Sequence, residues 1–224
     1  MARPEANLLM QSAFLNPWNQ TWHCGVHHRK TPFRIGVVNE SDVIRRAQWG
    51  DDAAWEVLVQ QHQTAVFRLA YLLLGDQSDA EDIAQEAFVR AWSALDRFDN
   101  ARPLRPWLLQ ITTNLARNKR RSAGRYLNAL RRFVTRTPVF HHIDTVHDGH
   151  VQDAQTLWQA IRRLSVTDQE ALYMRYFLEL SEAEMAEALG VAPGTVKSRL
   201  HRAMERLRGV IDTAFPALRE EREL

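Results

Sequence analysis

The sequence predicts an all-α protein made of two small helical domains joined by a flexible linker. Three observations carry that expectation. Apolar residues recur at steps of three and four from about residue 41 to residue 214, the period of a buried helix face, and no stretch alternates with period two for long enough to make a strand. The pattern Ser/Thr-x-x-Glu occurs at Ser78–Glu81, Thr167–Glu170 and Ser181–Glu184. In such a capping box a hydroxyl and a carboxylate satisfy free N–H groups at a helix start. Finally, the chain of 224 residues has only 9 Gly and 8 Pro, well below the roughly 12% of an average protein.

Taken in order, residues 1–39 mix Asn, Pro, Gly, Trp and His without a sustained period, so this arm is irregular. Trp55, Leu58, Val59, Val66, Leu69, Ala70 and Leu73 then mark one helix face, and Gly75 suits its C-cap. The Ser78 box opens a helix that buries Ile83, Ala87, Phe88, Ala91 and Leu95. Two prolines break the chain between Asp99 and Pro106, and Pro106 fits the first turn of a helix with Trp107, Leu108, Ile111 and Leu115 on its apolar face. Residues 123–152, with Gly124, Pro138 and Gly149, lose the period and form the linker, with some helix near Tyr126–Phe133. A second body spans 153–214, and a short tail, 215–224, closes the chain.

That second body reads as a helix-turn-helix. Ala186 is the small residue where two helices touch, Gly190 makes the turn, and Met185, Leu189, Val191, Val196 and Leu200 share a core. Pro193 opens the second helix, whose outward face carries Thr195, Lys197, Ser198, Arg199, His201, Arg202 and Arg206. A helix of this kind fits a DNA major groove, where Lys and Arg neutralise phosphates or reach guanine edges. An ordinary solvated basic face would not require the Ala–Gly–Val spacing.

The net charge of +2 conceals alternating blocks. Residues 40–100 hold 5 basic and 12 acidic side chains, whereas 101–143 hold 10 basic and none acidic. Such blocks suit separate faces for separate partners. Arg117, Lys119, Arg120 and Arg121 cluster at one helix end beside Asn114 and Asn118, with Phe98 and Trp107 nearby. Cations there complement the helix dipole, but ten exceed that need, and basic residues with aromatics hold single-stranded nucleic acid. Trp107 itself reads as core. Asp79, Glu81, Asp82 and Glu86 would repel DNA, and Gln85 lies on the same stretch, so this segment is either a solvated first turn or a protein-docking face; pattern alone leaves the two even.

Together these segments resemble one family. Asp79-Ala-Glu-Asp-Ile-Ala-Gln-Glu-Ala-Phe-Val-Arg-Ala-Trp92 resembles the core-polymerase-binding helix of bacterial RNA polymerase sigma factors of the extracytoplasmic-function (ECF) group. Pro106-Trp-Leu-Leu-Gln-Ile-Thr-Thr-Asn-Leu-Ala-Arg-Asn118 with Lys119-Arg-Arg121 resembles the family's −10 helix, and Gly194-Thr-Val-Lys-Ser-Arg-Leu-His-Arg-Ala203 its −35 recognition helix. The resemblance covers roughly residues 41–122 and 153–212, in the family's order. It implies a domain over 40–122 that binds core polymerase through Asp79, Glu81, Asp82, Gln85 and Glu86. The same domain would bind the −10 element through Phe98, Asn114, Arg117, Asn118, Lys119, Arg120 and Arg121, with Leu95–Pro106 capturing an unpaired base. A domain over 153–214 would bind the −35 element through Thr195, Lys197, Ser198, Arg199, His201 and Arg202. The implied partners are core RNA polymerase, promoter DNA as duplex and melted single strand, and an anti-sigma factor.

Other classes are excluded or disfavoured. The longest apolar run, Leu69–Leu74, is far short of a membrane span of about 20 residues, so no membrane insertion is expected. The chain start lacks a signal-peptide pattern and Cys24 is the sole cysteine, which together fit the cytoplasm. No phosphate loop, zinc-protease motif or nucleophile elbow occurs, so neither catalysis nor a cofactor is expected. His23, Cys24, His27 and His28, and His141, His142, His147 and His150, have zinc-ligand chemistry, but the Cys-x-x-His spacing lacks a second half and no metal is expected. A regulator that works without polymerase is the alternative, and it would leave the acidic and basic segments without a role. Family members often begin near the first helix, which suggests a natural start near Val37–Ser41, testable by sequencing the native N-terminus.

Overall fold

The computed structural model describes residues 39–131 and 149–215, and every regular element among them is helical. The N-terminal body comprises α1 (Glu40–Gln48), α2 (Asp52–Leu74), α3 (Gln77–Ala94), a short 3₁₀ turn (Leu95–Arg97) and α4 (Leu104–Arg131). The C-terminal body comprises α5 (Gly149–Arg162), α6 (Val166–Leu172), a π-helical turn (Tyr173–Phe177), α7 (Glu182–Leu189) and α8 (Pro193–Ala214). The expected irregular arm up to residue 38, the histidine groups of residues 23–28 and 141–147, and the tail from 216 lie outside the described residues.

Helix ends follow local chemistry. Gly75 adopts φ 76° and closes α2, its N–H donating to the Tyr71 carbonyl at 2.8 Å. Ser181 and Glu184 form the expected capping box of α7. The other two boxes are corrected. Asp76, not Ser78, caps α3 by accepting from Asp79 N at 2.9 Å. Ser165, not Thr167, caps α6 by accepting from Asp168 N at 3.2 Å. In both cases a competent oxygen two residues upstream starts the helix earlier. Helix α4 continues through Gly124 to Arg131, over part of the segment where some helix was expected, and α5 begins at Gly149.

Val43, Ile44, Leu58, Val66, Ala87, Leu104 and Leu108 belong to a core within the N-terminal body. A second core joins the bodies. Leu69, Leu72 and Leu73 of α2 and Leu109 and Ala116 of α4 pack with Ile161, Tyr173, Met174, Leu180, Met185 and Leu189. Tyr173 is fully buried, and desolvation pushes its hydroxyl pKa up to about 12. Across this seam Arg117 donates two hydrogen bonds to Glu170, at 2.6 and 2.5 Å, and Arg105 donates to the Leu178 carbonyl at 2.7 Å. The bodies therefore pack directly on each other.

Candidate nucleic-acid interface

The turn between α7 and α8 sets the angle of the outward basic face. Gly190 is left-handed (φ 66°), and Val191 N donates back to the Ala186 carbonyl at 2.9 Å. A Cβ at Gly190 would lie 3.0 Å from Gln110 Nε2, so the turn also abuts α4. Pro193 opens α8, and Val196, Ala203 and Leu207 are its buried stripe. On the other side Lys197, Ser198, His201 and Arg202 are exposed, with Thr195 and Arg199 half-buried. Arg202 lies along the helix, its Nε donating to the Ser198 carbonyl at 3.1 Å, and His201 faces Glu205 at 3.4 Å. Arg206 is turned away from this face, since it donates to both Asp168 carboxylate oxygens at 2.9 and 2.7 Å.

On α4 the candidate residues fall into two sets. Asn114, Asn118 and Arg121 are exposed. Arg117, Lys119 and Arg120 already have partners. Arg117 holds Glu170, and that hydrogen-bonded carboxylate raises the Arg117 pKa. Lys119 lies 2.6 Å from Asp79 and 3.4 Å from Asp82, and the hydrogen bond to Asp79 leads the upward shift of its pKa. Arg120 donates to the Leu73 carbonyl at 3.1 Å and to Gln169 Oε1 at 3.4 Å. Thr112 and Thr113, polar residues of the same helix, are buried and bond back to the carbonyls of Leu108 and Leu109. Phe98 is 7% exposed and packs 4.7 Å from Trp107, so the aromatic side of the loop is closed.

The acidic face lies on α3. Asp82 and Gln85 are exposed, and Asp79, Glu81 and Glu86 are half-buried. Glu81 accepts from Gln77 at 2.9 Å and Glu86 pairs with Arg90 at 2.7 Å. Val89 (60% exposed) and Trp92 (39% exposed) continue the stripe of Asp82 and Gln85 at helical spacing. Trp92 leans on Trp55 with ring centroids 5.1 Å apart.

Two family models match the chain: Sigma-70 region 2 over residues 58–126 and Sigma-70 region 4 over residues 154–207. The ECF RNA polymerase sigma factor SigW of Bacillus subtilis is 34% identical over 175 residues, 74% of this chain and 92% of SigW. The chain belongs to the ECF sigma factors. SigL of Mycobacterium tuberculosis is also similar, 35% identical over 158 residues, 70% of this chain and 88% of SigL. Among solved structures, CnrH in complex with the cytosolic domain of CnrY matches with a TM-score of 0.59 at 25% identity, covering 79% of this chain and 99% of CnrH. RpoE of Bartonella quintana in complex with the anti-sigma factor NepR matches with a TM-score of 0.56 at 26% identity, covering 71% and 97%.

As a sigma factor, the protein binds core RNA polymerase and promoter DNA and directs transcription initiation. A regulator acting without polymerase would account for the region 4 match and leave region 2 unused. Sequence reasoning did not single out Val89 and Trp92, although their places at i+4 from Gln85 and i+3 from Val89 were the available signal. It also missed Glu170, whose role depends on a contact 53 residues away in sequence. No helix among the described residues is long and apolar enough to cross a membrane.

Proposed function

We propose that this sigma factor divides its work among three surfaces. The α3 face of Asp79, Glu81, Asp82, Gln85 and Glu86, extended by Val89 and Trp92, docks core polymerase. The Leu95–Pro106 segment with Phe98, Asn114, Arg117, Asn118, Lys119, Arg120 and Arg121 takes the −10 element, first as duplex and then as a melted strand. Thr195, Lys197, Ser198, Arg199, His201 and Arg202 take the −35 element. The working units are residues 40–122 and 153–214, with 123–152 connecting them. The protein works in the cytoplasm and catalyses no reaction of its own. The observation that carries this division is the contrast between an α3 face that holds exposed Asp82 with half-buried Asp79, Glu81 and Glu86 and an α8 face that holds exposed Lys197 and Arg202 with half-buried Arg199.

The packed arrangement is the resting one. By their names the two promoter elements lie about 25 base pairs apart, on the order of 85 Å along B-DNA at about 3.4 Å per base pair. Two bodies that share a core cannot span that distance. Arg117 and Arg120, moreover, are bound to the C-terminal body or to the seam beside it. CnrH was solved with CnrY, and RpoE with the anti-sigma factor NepR, and by likeness this chain takes an anti-sigma partner. Reconstitution with core polymerase, followed by transcription from a genomic library, tests the reading. Binding to core, promoter-selective transcripts and loss of energy transfer between dyes on α3 and α8 are expected. Failure to bind core overturns the reading.

A further inference from the structure

Gln48, the last residue of α1, lies about fifty positions before the Leu95–Pro106 loop yet supplies three hydrogen bonds to it. Its Nε2 donates to the Leu95 carbonyl at 2.8 Å and to the Phe98 carbonyl at 2.9 Å. Its Oε1 accepts from Asn100 Nδ2 at 2.9 Å. The orientation is forced. Both carbonyls can only accept, so the Gln48 amide must present its NH₂ group to them. Its oxygen then faces Asn100, which must offer its own NH₂ group in return. Asn100 Oδ1 is left shut off from solvent with no partner among the described residues.

These bonds fix the part of the loop that local structure does not. The 3₁₀ turn ends at Arg97, and α4 does not begin until Leu104. Between them, Phe98 is anchored on Trp107, and Asp99 closes a small turn by accepting from Ala101 N at 3.0 Å. The Leu95 carbonyl also accepts from Phe98 N at 3.0 Å, and the Leu95 and Phe98 side chains sit in the core, but nothing in that local set reaches the Phe98 carbonyl or the Asn100 side chain. Gln48 does so from a half-buried position.

We propose that Gln48 is a positioning residue for base capture. It touches no DNA itself, but through the two carbonyls and Asn100 it sets the loop geometry into which an unpaired promoter base is received. This rests on the reading of the Leu95–Pro106 loop as the −10 base-capture segment. A base must be held in one orientation to count toward melting, and small misplacements of a positioned group carry large rate effects. Gln48→Met keeps the length and removes all three bonds. Gln48→Glu keeps the acceptor for Asn100 but sets a carboxylate against two carbonyls. Asn100→Ala removes only the side-chain arm.

The test uses holoenzyme and a promoter fragment recovered by transcription from a genomic library, with 2-aminopurine placed in turn at each position of the −10 non-template strand. For Gln48→Met and Gln48→Glu, the rate of the fluorescence rise on duplex promoter should fall by roughly ten- to a hundredfold, the scale of losing two or three neutral hydrogen bonds. Affinity for core and binding to an isolated −35 duplex should stay at wild-type values. A template already mismatched across the −10 region should recover only part of the loss, because the melted base must still be received. Asn100→Ala should give a smaller fall, and the double variant Gln48→Met/Asn100→Ala should be no slower than Gln48→Met alone, since one acts through the other. A wild-type rate in both Gln48 variants overturns the proposal, as does an equal loss of core and −35 binding, which would mark a general folding defect. If wild-type holoenzyme itself gives no 2-aminopurine response at any position, it is the base-capture reading that fails.

Discussion

Arg117 and Glu170 form a two-point ion pair across the two bodies, with both bonds at or below 2.6 Å and Glu170 1% exposed. The pair is asymmetric. Arg117 is 28% exposed along its side chain, so it can be rehydrated if its partner is lost, whereas Glu170 cannot. Arg117→Ala should therefore destabilise the protein by about 3 kcal/mol, the usual cost of stranding one member of a buried pair. Glu170→Gln should cost less. Urea unfolding of the two variants checks the order.

The same pair bears on regulation. Glu170 occupies a side chain proposed above for the −10 element, so Glu170→Gln should loosen the seam while leaving Arg117 free for phosphate. In the absence of core polymerase, energy transfer between dyes on α3 and α8 should fall. Weak binding of a −10 single strand should rise by several-fold and become more salt-sensitive. Unchanged energy transfer would mean that the apolar seam of Leu69, Leu109, Tyr173 and Met185 suffices without the ion pair.

Glu40 ties three helices together at the entrance to the fold. It bonds the buried His62 of α2 at 3.0 Å and accepts from Leu104 N at the start of α4. The hydrogen bond from His62 is the main reason that its pKa lies below the ordinary value of 4.5. A carboxyl with a depressed folded pKa contributes stability above its unfolded pKa and loses it as pH falls through the folded one. The melting temperatures of wild type and Glu40→Gln should thus differ at neutral pH and converge as pH drops below about 4.5. Thermal melts across pH 3 to 7 measure the window.

What the sequence makes legible is mostly local. Gly75, Gly190, Pro193 and the Ser181–Glu184 box each act within a turn of their own position, and each sits where the residue pattern puts it. The displaced caps at Asp76 and Ser165 show the limit of that logic. Each lies two residues before another competent oxygen, and local chemistry does not rank them. The seam is harder still, because Glu170 reads as an ordinary first-turn carboxylate until α6 is packed on α4. One signal was present: Leu69, Leu72, Leu73 and Leu74 surround the end of α2 on more than one side, as in a helix buried by two neighbours. At the candidate site the residue types were readable, but the pairing of Arg117, Lys119 and Arg120 inside the protein was not.

The α3 face should separate core binding from stability. Asp82 is exposed, and its contact to Lys119 is a long 3.4 Å, so Asp82→Ala should change stability by well under 1 kcal/mol, as surface pairs do. If the face docks a basic polymerase surface, the same substitution should weaken core binding by about tenfold, as should Gln85→Ala. A promoter fragment should still be melted once core is added in excess. Loss of folding in either variant would place these residues in the framework instead.

Arg202 offers the sharpest separation of roles. It is exposed on the outer face of α8, its guanidinium lies back along the helix toward Ser198, and no ion pair engages it among the described residues. Removing it therefore disturbs no packing, and Arg202→Ala should melt within a degree or two of wild type. If it reads a base edge, the variant should lose about 1–3 kcal/mol of −35 affinity and relax preference at a single base pair. If it holds a phosphate, binding should weaken evenly over all sequences, and the salt slope should drop by about one. Core binding should be untouched in either case. A −35 duplex panel titrated at two salt concentrations distinguishes the outcomes, and an unchanged affinity across the panel would remove Arg202 from the recognition face.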